Sequence, residues 1–229
     1  MLRKWLVFAI IVTGMIHLAT LSLNSSVLNW IFKLLPMVLI IVLAVSSQPA
    51  DKLKMYKVLI VSGLIFSIAG DALLLNNGNE WFMFGLLSFL VGHLFYVAAM
   101  IRRWEFSLLT LVCVVPIGLY SWLIGWQLHN GIMTNSNNSA LWLSVAIYVS
   151  VISVMCWTAI MSRNWHATVG AILFAVSDSI LAWNKFVSNV PASGIWIMLT
   201  YFAAQLFIAG SIANVFGGKQ LSKGRALRM

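Results

Sequence analysis

The sequence predicts an all-α polytopic membrane protein of about eight transmembrane helices. Of its 229 residues, 62% are apolar and only 8% are charged, whereas a soluble domain carries about 25% charged residues. The apolar residues form runs close to the roughly 20 residues that one membrane-spanning helix requires. Eight such runs leave no room for a large domain outside the membrane, so we predict a single integral membrane domain over residues 1–229.

Short polar breaks divide the apolar sequence into individual helices. The breaks lie at residues 24–26, 48–55, 76–80, 102–103, 129–139, 163–164 and 188–193. The predicted spans are 5–23, 27–46, 57–75, 81–101, 106–128, 140–161, 166–185 and 194–216. The first span follows Arg3 and Lys4 as a secretory signal would, but residues 21–23 lack a small-residue cleavage site, so we expect it to remain as the first helix.

The basic residues predict how the helices are oriented. Twelve of the 14 Lys and Arg residues fall on one side of the predicted membrane, and only Lys33 and Lys185 fall on the other. Because loops rich in Lys and Arg stay in the cytoplasm, both termini are expected to be cytoplasmic. The basic segment after Gly217 has no interleaved aromatic residues, so we expect it to face lipid head groups and not nucleic acid.

Two predicted helices repeat a short pattern. Gly63 precedes Asp71 by eight residues, and Gly170 precedes Asp178 by eight residues. The third and seventh spans, which carry the pattern, run in the same direction across the membrane. This spacing predicts two parallel four-helix halves.

Asp71 and Asp178 are the most informative residues, because both lie inside apolar spans. An ionisable group at that depth costs at least about 2.5 kcal/mol and by default marks a functional site. The alternative is a purely structural role, in an ion pair or a hydrogen bond between helices. The three other acidic residues lie in predicted loops, where solubility explains them.

Four polar side chains on four spans are expected to share one layer of the membrane. At about 1.5 Å per helical residue, Asp71 lies roughly 6–9 Å, Asp178 roughly 10 Å, Lys33 about 9 Å and His17 roughly 8 Å below the outer end. If these side chains face a common interior, they form one site, with Lys185 at its mouth. For both lysines the alternative is snorkelling towards the membrane surface.

Further candidates for substrate binding lie on the neighbouring spans. His93 and Tyr96 share one face of the fourth span, and Tyr201 shares a face of the eighth span with Gln205. Ser177 directly precedes Asp178.

We expect no metal ion and no cofactor. Only His17 and His93 lie well inside spans, fewer than the ligands of a zinc site. Nucleotide-binding loops and serine-hydrolase elbows are absent from the sequence.

These motifs resemble the YhhN-like family of membrane proteins. The resemblance lies in FSIAGDALL at 66–74, FGL at 84–86, GHLFY at 92–96 and GAILFAVSDSILA at 170–182. The segment FKLLP at 32–36 resembles a Lys-Pro element of the family, with two residues inserted between Lys33 and Pro36. Together with the number and length of the spans, the resemblance covers most of the chain.

The resemblance implies a lysoplasmalogenase, which hydrolyses the vinyl-ether bond of a lysoplasmalogen to a fatty aldehyde and a glycerophospho-alcohol. This chemistry requires an acid that protonates carbon and a carboxylate that stabilises the resulting cation, as in glycosidases. We expect Asp71 to be the acid, since Gly70 and Ala72 flank it, and Asp178 to be the carboxylate, but the sequence leaves the reverse assignment open. Lys33 would meet the substrate phosphate.

The remaining candidates would orient the substrate. His93, Tyr96 and Tyr201 would contact the head group or water, and the lipid chain would enter sideways from the membrane. A compact basic chain is typical of bacterial proteins, so we expect it in a bacterial cytoplasmic membrane. Because many bacteria make no plasmalogen, a different ether lysolipid is an alternative substrate. Two other classes of protein stay open: a proton-coupled transporter that uses the same Asp pair, and a scaffold without a site.

Overall fold

The computed structural model describes residues 2–21, 26–49, 53–134 and 141–212. Within these ranges the chain is helical and contains no strand. The helices are α1 (Leu2–Thr20), α2 (Ser26–Ser46), α3 (Lys54–Leu73), α4 (Asn79–Ile101), α5 (Leu108–Val112), α6 (Val114–Thr134), α7 (Trp142–Met161), α8 (Trp165–Phe186) and α9 (Ser193–Gly210). The basic segment after Gly217 and the predicted breaks around 22–25, 50–52 and 135–140 lie outside the described residues.

Eight helical segments of the described chain are long and apolar enough to cross a membrane. Seven are single helices, and the eighth is Thr110–Thr134, which α5 and α6 form together. The predicted all-α fold with eight spans is therefore confirmed. The two predicted halves and the orientation of the termini stay predictions.

The fifth span differs most from its predicted bounds of 106–128. It begins with the short helix α5. The series of helical hydrogen bonds is interrupted at Cys113, between α5 and α6, because Pro116 has no N–H to donate to the carbonyl of Val112. At its other end α6 continues past the polar His129-Asn130 pair to Thr134. Ile132, one turn after Leu128, is fully buried there, and this packing extends the helix beyond the polar residues.

The most extensive helix contacts join α3 to α4 and α8 to α9. Small residues allow the helices to approach closely, as is common in membrane bundles. A Cβ atom on Gly92 of α4 would lie 3.0 Å from the carbonyl oxygen of Gly63 in α3. A Cβ atom on Gly170 of α8 would lie 2.9 Å from the carbonyl oxygen of Ala204 in α9. Both glycines of the repeated pattern thus lie where the next helix packs.

Candidate active site

A polar cavity of about 330 Å³ opens at the end of the bundle where α3 and α8 end and α2, α4 and α9 begin. Charge bias predicts that this end faces the outside. The lining side chains come from α2, α3, α4, α8 and α9. They are Lys33, Asp71, Leu74, Phe82, Phe89, Ser177, Asp178, Leu181, Asn184, Lys185, Ile197, Met198 and Tyr201.

Asp71 joins three helices at this cavity. It lies in the last turn of α3 and is 1% exposed. The Tyr201 hydroxyl of α9 donates a hydrogen bond to Oδ2 of Asp71 at 2.6 Å. Lys33 of α2 places Nζ 3.7 Å from Oδ1 and donates to the main-chain oxygen of Asp71 at 3.2 Å. Lys33 therefore does not snorkel to the membrane surface but supplies the opposite charge that a buried carboxylate requires.

Asp178 has a different set of partners. It lies on α8, and the Tyr148 hydroxyl of α7 donates to its Oδ2 at 2.5 Å. Among the described residues no basic side chain forms an ion pair with it. Asp178 therefore faces the same cavity as Asp71 with a neutral hydrogen-bond donor in place of a cation.

These partners differ from those that the neighbouring sequence suggested. The expectation that Asp71 has an apolar setting rested on Gly70 and Ala72, but Lys33 reaches it from another helix. The Ser177 hydroxyl, although next to Asp178 in the chain, donates to the carbonyl of Ile197 at 3.0 Å. Residues distant in the chain therefore determine the polarity around each carboxyl.

Lys185 and Ser177 both line the cavity, as Asp178 does. The Lys185 ammonium lies 5.2 Å from the centre of the Phe82 ring, a cation–π contact at the rim. Lys185 therefore lies at the rim of the cavity, exposed and close to Phe82.

His93, Tyr96 and His17 lie outside the cavity lining. His93 is 1% exposed, and its ring packs at 5.3 Å against Tyr148 and at 4.5 Å against Phe174, measured between ring centroids. His93 thus supports the tyrosine that binds Asp178 without reaching the cavity itself.

Tyr96 belongs to a second polar cluster, which is fully buried. Its hydroxyl donates to Oε1 of Gln205 at 2.8 Å and lies 3.4 Å from Oγ of Ser67. His17 packs edge-on against Phe202 at a centroid distance of 5.7 Å and is 1% exposed. His17 and Lys33 are predicted to lie at similar depths in the membrane, but His17 does not line the cavity.

Tyr148 is the residue that the sequence analysis missed. Its position eight residues into the predicted sixth span puts it about 12 Å deep, close to the roughly 10 Å counted for Asp178. The same depth count that was applied to Asp178 could have selected Tyr148.

The described ranges hold no group of three His, Cys, Asp or Glu side chains that could bind a metal ion. The acidic side chains at the cavity are Asp71 and Asp178, and its basic ones are Lys33 and Lys185. The arrangement can therefore transfer protons, stabilise a positive charge and bind an anion.

Comparison with known proteins places the chain among membrane proteins of one family. The profile of the YhhN family matches residues 28–212. Lysoplasmalogenase TMEM86A of Bos taurus is 34% identical over 160 residues, which are 64% of this chain and 62% of the bovine protein. Lysoplasmalogenase TMEM86B of Mus musculus is 28% identical over 213 residues, or 90% of this chain and 85% of the mouse protein.

A bacterial relative is also similar. The lysoplasmalogenase of Mycobacterium bovis is 31% identical over 179 residues, which cover 73% of this chain and 64% of that protein. The chain thus spans less than two thirds of the length of the bovine and mycobacterial relatives. No solved structure matches the chain.

Proposed function

The chain belongs to the YhhN family, and we propose that it hydrolyses the vinyl-ether bond of a lysoplasmalogen-type lysolipid. The products are a fatty aldehyde and a glycerophospho-alcohol. The relatives named lysoplasmalogenase support this reaction. The observation that carries the proposal is the pair Asp71 and Asp178, which face one membrane-embedded cavity with different partners.

Asp178 is the general acid in this proposal. Its described partner is the neutral hydroxyl of Tyr148, which leaves it free to hold a proton, whereas Asp71 already balances the charge of Lys33. This reverses the assignment suggested by the flanking residues. Asp178 transfers its proton to the vinyl carbon that does not carry oxygen, and the double-bond electrons form the new C–H bond. An oxocarbenium ion results.

Asp71 stabilises that cation as a carboxylate. Fixed opposite charge at the place where charge develops is an effective form of catalysis in a water-poor site. Water then adds to the cationic carbon and gives its proton back to Asp178, which restores the acid. The resulting hemiacetal loses the glycerol hydroxyl as the leaving group and becomes the aldehyde. One water is consumed in each turnover.

The two lysines bind the phosphate of the head group. A lysine ammonium has three donors, and Lys33 directs donors to the main-chain oxygen and the carboxylate of Asp71. Its remaining donor and the rim residue Lys185 are available to a phosphate in the cavity. We place the protein in a bacterial cytoplasmic membrane, with the cavity open towards the outside, where head groups of the outer leaflet lie.

A purely structural role explains Asp71 more fully than Asp178. The ion pair with Lys33 accounts for the burial of Asp71. Asp178 lies in an apolar span with one hydrogen bond, from Tyr148 of α7, and no cation among the described residues, so a scaffold accounts for a buried carboxyl there less well. We therefore favour chemistry over a scaffold.

Aldehyde release from a defined lysoplasmalogen by the purified protein tests the proposal. We expect release from the vinyl ether and none from the saturated 1-O-alkyl analogue. Asp178→Asn should lower the rate by about 100-fold or more, the usual effect of losing a general acid, and Asp71→Asn should also lower it. Glu80→Gln removes an exposed carboxyl at the start of α4 and should have no effect.

Absence of aldehyde release from the folded wild-type protein with any vinyl-ether lysolipid would overturn the proposal. Proton flux into proteoliposomes that Asp178→Asn abolishes would then favour a proton-coupled transporter.

A further inference from the structure

An apolar groove of about 300 Å³ adjoins the polar cavity, bounded mainly by α6, α7 and α8. Three residues line both spaces: Phe82, Leu181 and Asp178. The carboxyl that acts as the acid in the proposed function therefore lies where the polar space meets the apolar one.

The groove has the length of one lipid chain. Along α7 its lining includes Tyr148, at the level of Asp178, and Ile160, near the opposite end of the helix. Twelve helical residues separate the two, or about 18 Å. The hydrocarbon core of a bilayer is about 30 Å thick and holds two leaflets, so one chain occupies roughly 15 Å of it.

The polar groups of the groove are satisfied by one another. The Tyr120 hydroxyl donates to Oγ of Ser179 at 2.8 Å. The hydroxyls of Ser121 and Ser153 lie 2.5 Å apart in a second hydrogen bond. The wall therefore offers a ligand apolar contacts and few free hydrogen-bonding groups.

We propose that this groove holds the single alkenyl chain of the lysolipid and limits the chain length that the enzyme accepts, an inference that rests on the proposed function. A lysolipid has one hydrocarbon chain, and one apolar groove leaves the polar cavity. With the head group between Lys33 and Lys185, the vinyl ether lies beside Asp178 and the chain runs towards Ile160. Ala175, one turn before Asp178 on α8, contacts the first part of the chain, and Ile160 contacts its end.

Bulky substitutions at two depths test the groove. Ile160→Trp should lower kcat/KM for an octadecenyl substrate relative to a decenyl substrate by about ten-fold or more, since mismatched chain length in an apolar site has effects of this size. Ala175→Phe, close to the carboxyl, should lower kcat/KM for both. Val154→Trp is the matched control, because Val154 is 45% exposed on α7 and lies outside the groove lining.

An unchanged chain-length preference in Ile160→Trp, with unchanged rates in Ala175→Phe, would overturn the inference while the proposed function stands. If the wild-type protein releases no aldehyde, the groove can still be tested by binding. A saturated 1-O-alkyl lysophospholipid with a diazirine at the end of its chain is added to the protein and photocrosslinked. Crosslinks concentrated near Pro116 and Ile160 would support the groove. Crosslinks spread evenly over the exposed side chains of α1 and α3, which lie outside the groove lining, would overturn it.

Discussion

Asp71 and Asp178 are the same chemical group in two different settings. Lys33 and Tyr201 hold Asp71 on one side of the cavity, and Tyr148 alone holds Asp178 among the described residues. A difference of this kind is what separates an acid from a carboxylate in enzymes with two carboxyls. The division of roles therefore comes from the partners that other helices supply.

Replacing Lys33 by Met should destabilise the protein strongly. Removing one partner of a buried ion pair leaves an uncompensated charge, at a cost of about 3–5 kcal/mol. The double variant Lys33→Met/Asp71→Asn should recover most of the thermal stability, because the charge is gone, but not the activity. Thermal unfolding in detergent and aldehyde release check the two expectations. A double variant as unstable as Lys33→Met would show that the pair does not hold this part of the bundle.

Single residues also show where sequence reasoning stopped. Depth counting selected Asp71, Asp178 and Lys33, which the structure brings to one cavity together with Tyr201. The same counting selected His17, which the structure packs against Phe202 away from that cavity. Depth is readable from a sequence because each helical residue advances about 1.5 Å. Rotation about the helix axis is not, because in a membrane both the lipid-facing and the core-facing sides of a helix are apolar.

Close packing of α3 on α4 positions Asp71 beside the cavity. Gly63 and Gly92 face each other where the backbones approach, as the 3.0 Å distance from a Cβ on Gly92 to the Gly63 oxygen shows. The sequence marks these residues as small but does not say which of its 15 glycines lie at helix contacts. The bounds of most helices, in contrast, lie close to those predicted from hydropathy. The fifth span departs from its predicted bounds where Pro116 and buried Ile132 intervene, and α9 ends at Gly210, six residues before the predicted end at 216.

Gly92→Leu should lower the stability of the protein by about 1–3 kcal/mol or more, because overpacking forces the two helices apart. The shift of α4 would also displace Asp71 from Tyr201, so activity should fall with it. Gly118→Leu on α6 is the control, since a Cβ there has no atom within 4 Å. Thermal unfolding of both variants in the same detergent checks the prediction, and equal melting temperatures would refute the close contact.

The whole bundle is predicted to sit in the membrane with its cavity towards the outside. In the predicted topology, 12 of the 14 Lys and Arg residues fall in segments on the opposite side, and such loops remain cytoplasmic. Cysteine labelling tests this orientation in a background in which both native cysteines, Cys113 and Cys156, are replaced by Ala. The substitution Asn189→Cys, between α8 and α9, should make the protein react with an impermeant maleimide in intact cells. Arg102→Cys between α4 and α5 should react only after permeabilisation. The reverse labelling pattern would place the cavity on the cytoplasmic side.

Proton transfer to carbon is the central claim, and hydrolysis in D₂O tests it most directly. Protonation by exchangeable Asp178 predicts one deuterium on the carbon next to the aldehyde carbon in each product molecule. Immediate enzymatic reduction of the aldehyde prevents later exchange, and the unlabelled aldehyde added to the same mixture is the control. Aldehyde from the wild-type protein without deuterium at that carbon would contradict the mechanism. Deuterated aldehyde released by Asp178→Asn at the wild-type rate would also contradict it. We predict a singly deuterated product from the wild-type protein and a rate reduced by about 100-fold or more in Asp178→Asn.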